Sequence, residues 1–152
     1  MLPTHAARNT APHLTQAPTG ASVPRTSARP LDTLRREGGV MTVFDRILKG
    51  EIPAKVVFED EQVLAFHDVN PQAPIHVLVI PKRAIPRLSD TVDADAPLLG
   101  HLLACARNVA KQLGLEEDGY RVVLNVGFDG GQSVEHLHLH VMGGRPFVWP
   151  PG

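Results

Sequence analysis

The chain has 152 residues, 43% of them hydrophobic, with fifteen Lys plus Arg against sixteen Asp plus Glu for a formal charge of -1. That length holds one domain of ordinary size and excludes a multidomain enzyme; the near-neutral balance excludes the broad positive face that nucleic acid or an anionic membrane demands, so partners must be recognised locally. Cys105 is the one cysteine, which excludes an internal disulfide, a cysteine zinc finger and a redox dithiol and makes a reducing compartment the expectation, while the apolar run at 77–80 stops at Pro81, far short of the roughly 18 to 20 residues that cross a bilayer.

Residues 1–40 hold five of the fourteen prolines, no Phe, Trp or Tyr, and no acidic residue before Asp32. Five arginines face only Asp32 and Glu37, a net +3. So little apolar surface cannot offset the entropy of ordering, and the segment is expected to be disordered. An acid-poor, Arg-containing start is compatible with an organellar transit peptide, but scattered prolines oppose the amphipathic helix of such peptides. The plainer expectation is a dispensable extension, or a start placed upstream of the true one at Met41, with a cytoplasmic protein behind it. His5 and His13 fall in this stretch and are not counted toward any site. Residues 41–152 are expected to form the domain, with ten basic and fourteen acidic groups.

The domain opens with Thr42 as a helix N-cap, Phe44, Ile47 and Leu48 at helical spacing, and Gly50 as a stop, one short helix. Three Val- and Ile-rich stretches follow at Val56–Glu59, Val63–His67 and 76–80, separated by acidic or Pro-containing turns; they read as strands. From 95 to 113 the residues Leu98, Leu102, Cys105, Ala106, Val109 and Leu113 recur every three or four positions, with Asp95 as candidate cap, Pro97 in the first turn and Gly114 beyond the end; this is the main helix. Two further strands, 120–126 and 134–142, flank a loop containing Gly127, Gly130 and Gly131. Short links favour antiparallel pairing and one long helix covers only one sheet face, so the class is α+β.

The chemistry is concentrated in His136-Leu137-His138-Leu139-His140. On a strand the three imidazoles line one face and the leucines the other. Three adjacent rings, each needing partners and each titrating near neutrality, suit a site better than a core. Alternate histidines can also ligate zinc, although no cysteine or obvious carboxylate completes the set except at longer range. The preceding loop, with Gly130, Gly131, Gln132 and Ser133, has the glycines that let backbone N–H groups approach an anion. Asn125, at the strand end, is placed to bind a phosphate or a sugar hydroxyl.

These residues resemble the histidine triad superfamily, in its histidine triad nucleotide-binding branch. The likeness runs nearly throughout 41–152: residues 44–54 (Phe-Asp-Arg-Ile-Leu-Lys-Gly-Glu-Ile-Pro-Ala), 65–68 (Ala-Phe-His-Asp), 71–74 (Pro-Gln-Ala-Pro), 76–81, 130–134, the triad, 143–145 and the final Trp149-Pro150-Pro151-Gly152. The resemblance implies a five-stranded antiparallel sheet, a homodimer with a ten-stranded sheet, and hydrolysis of purine nucleoside phosphoramidates with neither metal nor cofactor. It implies His138 as the nucleophile on the α-phosphorus, held in one tautomer by the His136 carbonyl, with the His136 ring supported by His76. His140 would bond a non-bridging oxygen or help protonate the departing amine, and Ser133 would bond near the leaving atom. Asp68 would take the ribose hydroxyls, and Phe44, Ile47, Phe66 and Val69 would enclose the base, while Gly131, Gln132 and Asn125 complete the nucleotide set. His67 and His101 are expected outside the site. Glu135, where relatives often carry an aromatic residue, and Pro146-Phe147-Val148 depart from the family pattern and bear on substrate preference. A triad ending in His140 rather than glutamine favours hydrolases over nucleotidyltransferases. Cleavage of dinucleoside polyphosphates or adenylyl sulfate, and a non-catalytic nucleotide-binding scaffold, are the alternatives.

Overall fold

The computed structural model describes residues 41–151; the expectation of disorder over 1–40 lies outside them. The order is α1 (Val43–Leu48), β1 (Val56–Glu59), β2 (Val63–His67), β3 (Ile75–Pro81), two 3-10 turns (Leu88–Asp90 and Asp93–Asp95), α2 (Ala96–Gln112), β4 (Tyr120–Val123) and β5 (Leu139–Gly143). One antiparallel sheet runs β1-β2-β3-β5-β4, the α+β architecture expected. No helix among the described residues is long and apolar enough to cross a membrane.

The strand alternation sorts side chains onto two faces. Val63, Ala65, Val77, Val79, Leu139 and Val141 meet Leu102, Cys105, Ala106 and Val109 of α2 in the larger core. Leu64, Phe66, Leu78 and Ile80 point the other way and pack with Phe44 of α1. Burying each large aliphatic side chain stabilises the domain by roughly 1.5 to 3 kcal/mol. Cys105 is among the buried side chains, and its thiol is pushed up to about 11 by burial, the inert hydrophobe anticipated. Helix α1 has only six residues and depends on its start: the Thr42 hydroxyl accepts from the Asp45 N–H (3.2 Å), and Asp45 accepts from the Thr42 N–H (2.6 Å), a reciprocal cap contributing about 1 kcal/mol.

Two strand boundaries differ from expectation by more than one residue, and one cap differs. Strand β5 begins at Leu139, not 134, because the approach is tied elsewhere: the His136 N–H donates to the Val134 carbonyl and the Leu137 N–H to the Ile85 carbonyl. Strand β4 ends at Val123, opposite His140, not at 126. Asp95 does not cap α2 with its side chain; its carboxylate accepts from the Val92 N–H and pairs with Arg83. Both short 3-10 turns escaped the periodicity.

Candidate active site

On the α1 face of the sheet a cavity of about 400 Å³ opens between α1, the segment after β2, and the start of β5. Phe44, Ile47, Phe66, Asp68 and Val69 line it, with His76, Ser133, His138 and His140. Asn125, Gly131, Gln132 and His136 do not reach its wall. Gln132 is a loop staple: its Oε1 accepts from the Gly127 N–H, and its Nε2 donates to the Pro86 and Val134 carbonyls. Gly131 adopts φ +74°, which L side chains avoid, and a Cβ on Gly130 would lie 2.3 Å from the Val126 carbonyl oxygen; these glycines permit the turn that delivers Ser133. His67 also lines the cavity, against the expectation that it stands outside. His101 does stand outside, 2.6 Å from the Asp60 carboxylate.

The histidines differ in partners, and the partners set their tautomers. His138 Nδ1 lies 2.6 Å from the His136 carbonyl oxygen. A carbonyl only accepts, so Nδ1 carries the proton and Nε2 keeps its lone pair. His136 Nε2 is 2.8 Å from the Pro81 carbonyl and is protonated for the same reason. The Gln72 backbone N–H donates to His76 Nδ1 (3.1 Å). Because an N–H only donates, His76 must carry its proton on Nε2, which faces His140 Nδ1 at 2.9 Å. His140 therefore accepts at Nδ1 and bears its proton on Nε2. One bare imidazole nitrogen and one N–H donor result, on rings whose centroids are 4.8 Å apart.

The expected support of the His136 ring by His76 is thus corrected: His76 supports His140. Pairing of Leu78 with His140 and of His76 with Met142 puts His76 and His140 diagonally on one sheet face, whereas the His136 ring turns into the protein, 1% exposed. Phe44, besides lining the cavity, meets His138 and His136 edge-on at centroid distances of 5.3 and 5.8 Å. Two residues that stand inside the quoted motifs without an expected role belong to the site's frame. Gln72 supplies the tautomer-setting N–H, and Asp45 places a carboxylate oxygen 3.8 Å from His136 Nδ1.

Burial holds His138 and His76 below the ordinary imidazole value, partly opposed by the His136 carbonyl and by Asp68 respectively. His140 is lowered to about 4, first by burial and then by its two histidine neighbours. All three rings are neutral at pH 7. The unfolded chain, whose imidazoles titrate near 6.5, binds more protons than the native state below that pH, so stability should fall as pH drops from about 6.5 toward 4 and be level above about 7. Thermal melts at about pH 7.5 and about pH 5 check this; an unchanged Tm would contradict the neutral assignment.

The HIT domain family model matches residues 49–147. A 14 kDa zinc-binding protein of Zea mays is 54% identical over 121 residues, covering 78% of this chain and 94% of that protein. Among solved structures, a HIT family hydrolase from Legionella pneumophila Philadelphia 1 superposes with a TM-score of 0.71 at 53% identity, covering 72% of this chain and 98% of its own. A histidine triad nucleotide-binding protein from Candida albicans superposes at 0.63 with 32% identity, covering 72% and 83%.

Proposed function

The chain belongs to the HIT domain family, and from that premise we propose that it hydrolyses purine nucleoside phosphoramidates through a nucleotidyl-histidine intermediate. The observation carrying this reading is the His136 carbonyl that fixes the His138 proton on Nδ1 and leaves Nε2 free to attack. His138 Nε2 forms a bond to the α-phosphorus as the P–N bond breaks, and the departing nitrogen takes a proton from solvent past Ser133. Water then displaces His138 and returns a proton to solvent, so one difficult displacement becomes two easier ones. His140 Nε2–H holds a non-bridging phosphate oxygen; with its pKa lowered to about 4 it acts as a neutral hydrogen-bond donor. Asp68 takes the ribose hydroxyls, and Phe44, Ile47, Phe66 and Val69 hold the base.

The kcat/KM for adenosine 5'-phosphoramidate, measured beside those for diadenosine polyphosphates and adenylyl sulfate, tests the substrate class. Preference for the phosphoramidate is expected. A larger value for either alternative moves the activity to that class, and binding without turnover of any of them leaves a nucleotide-binding scaffold.

The zinc-binding relative makes a metal the second reading, and Asp68, His76 and His140 do bring donor atoms within 4.8 Å of one another. They fit an ion poorly. His76 Nε2 and His140 Nδ1 share a proton at 2.9 Å, and His76 Nδ1 already accepts the Gln72 N–H. An ion with bonds of about 2.0 to 2.1 Å to nitrogen would need both facing lone pairs at once. EDTA should leave the hydrolysis rate unchanged; a rate that collapses with chelator and returns with zinc would reverse this assignment.

The active species is proposed to be a homodimer of domains spanning 41–152, with 1–40 dispensable, in the cytoplasm. In support, β4 ends the sheet with a half-exposed Val122, an edge that pairing with a second copy would cover. A chain beginning at Met41 should sediment at about twice its monomer mass and match the full chain in rate. A fully active monomer would defeat the dimer, and a marked loss of Tm on truncation would defeat the dispensable extension.

A further inference from the structure

We propose that Arg145 is a positioning residue that selects the tautomer of the His76–His140 pair by holding the Gln72 backbone. The inference deepens the reading above, since it rests on His140 Nε2–H as the phosphate-oxygen donor.

His76 Nδ1 has two competing neighbours. The Gln72 N–H donates to it at 3.1 Å, and an Asp68 carboxylate oxygen lies 3.6 Å away. The two demand opposite tautomers. With Gln72 engaged, Nδ1 is bare, His76 Nε2–H donates to His140 Nδ1, and His140 presents Nε2–H to the cavity. With Asp68 engaged, Nδ1 carries the proton and His76 Nε2 is bare. His140 must then donate from Nδ1, which leaves its Nε2 with a lone pair aimed at an anionic phosphate. The same atoms, with two protons moved, give a site that repels the group it should hold.

What keeps Gln72 in place comes from the C-terminal segment. The Arg145 guanidinium donates to the Gln72 carbonyl (3.0 Å) and to the Pro146 carbonyl (3.0 Å). Its face lies 4.3 Å from the centre of the Phe147 ring. Phe147 is shared with Arg121 of β4, whose guanidinium lies 4.8 Å from the ring centre and donates to the Val148 carbonyl. Gln72 is therefore gripped on both sides, its carbonyl by a charged donor and its N–H by the imidazole it directs. The Gln72 side chain also donates to the Asn70 carbonyl, closing the turn from within. The Arg145 contact links residues 73 positions apart; the other hydrogen bonds of this turn among the described residues are local, with the Asp68 N–H on the His76 carbonyl (3.0 Å) and the Asn70 N–H on the Asp68 carboxylate (2.8 Å).

The test is nitrogen-15 NMR of uniformly histidine-labelled full chain near neutral pH, without substrate, with kinetics on adenosine phosphoramidate alongside. In the unaltered protein His76 and His140 should both show a pyrrole-like Nε2 and a pyridine-like Nδ1. In Arg145→Ala a substantial fraction should move to the opposite pattern, with kcat down about tenfold and KM within about twofold, the scale of one charged hydrogen bond. Arg145→Lys, which keeps a cationic donor without the planar fork, should recover part of both. Arg121→Ala frees Phe147 without touching Gln72 and should shift the tautomers less. Unchanged tautomers in Arg145→Ala, or an equal shift in Arg121→Ala, would overturn the inference. Because the NMR readout needs no substrate, tautomers that shift in a protein without phosphoramidase activity would uphold the positioning role and reject the substrate reading.

Discussion

His138→Ala is expected to abolish turnover, by more than about 10⁴-fold, while nucleotide binding survives. The two separate because different atoms carry them. The base and ribose groups proposed here, from Phe44 to Val69, stand on α1, on β2 and just beyond it, whereas the attacking nitrogen is supplied by the segment entering β5. Loss of the edge-on contact with Phe44 lowers stability as well, so His138→Asn, nearer in volume, serves as a second variant. The competing mechanism has three neighbouring imidazoles share acid and base work without a covalent step, and the unaltered protein distinguishes the two. Quenching during turnover should trap the nucleotide on His138, and the configuration at phosphorus should be retained after two displacements. An adduct on His140 or His136 would reassign the nucleophile. Inversion with no adduct would mean direct attack by water.

Much of the fold follows from local pattern. Val56–Glu59 and Val63–His67 are strands with the bounds their β-branched runs suggest, and the three-to-four spacing of Leu98 through Leu113 places α2 to within a residue at either end. Local pattern fails where a side chain competes for a backbone group. Alternation extends the last strand back to 134, yet the His136 carbonyl is taken by the His138 ring and the ladder starts only at Leu139. The cost to the strand is the gain to the site, because the same bond sets the tautomer.

The site was legible in its residue types and less so in its pairings. His76, His138, His140, Asp68, Ser133 and the apolar wall meet at one cavity, but that His76 reaches His140 and not His136 depends on the β3–β5 register, which joins strands 64 positions apart at that contact. Composition carries no record of register between distant strands. Gln72 and Arg145 act through the Gln72 backbone N–H and carbonyl, and any residue but proline in that place would offer the N–H. Asn125, Gly131 and Gln132 show the reverse limit: residue types suited to phosphate stand near the triad in sequence, yet the turn employs the Gln132 side chain internally.

His140→Ala should lower kcat by about 10² to 10⁴, the range for losing one donor aimed at developing charge, with smaller change in KM. The size depends on the donor being oriented before substrate arrives, and that orientation comes from His76 Nε2 at 2.9 Å. His76→Asn keeps an acceptor for the Gln72 N–H but is too short to reach His140 Nδ1, so His140 loses its tautomer bias while its ring remains. A loss of about 10 to 10² is expected, less than that of removing His140 outright. The double variant discriminates: if His76 acts only through His140, it should be no slower than His140→Ala alone, and the cycle should show a coupling equal to the whole His76 effect. Independent, multiplying losses would mean that His76 contacts the substrate itself, with Asp68 beside it (3.6 Å from Nδ1) as the group setting its proton. The relay from Gln72 through His76 to His140 would then be a feature of the resting cavity that the bound nucleotide rearranges.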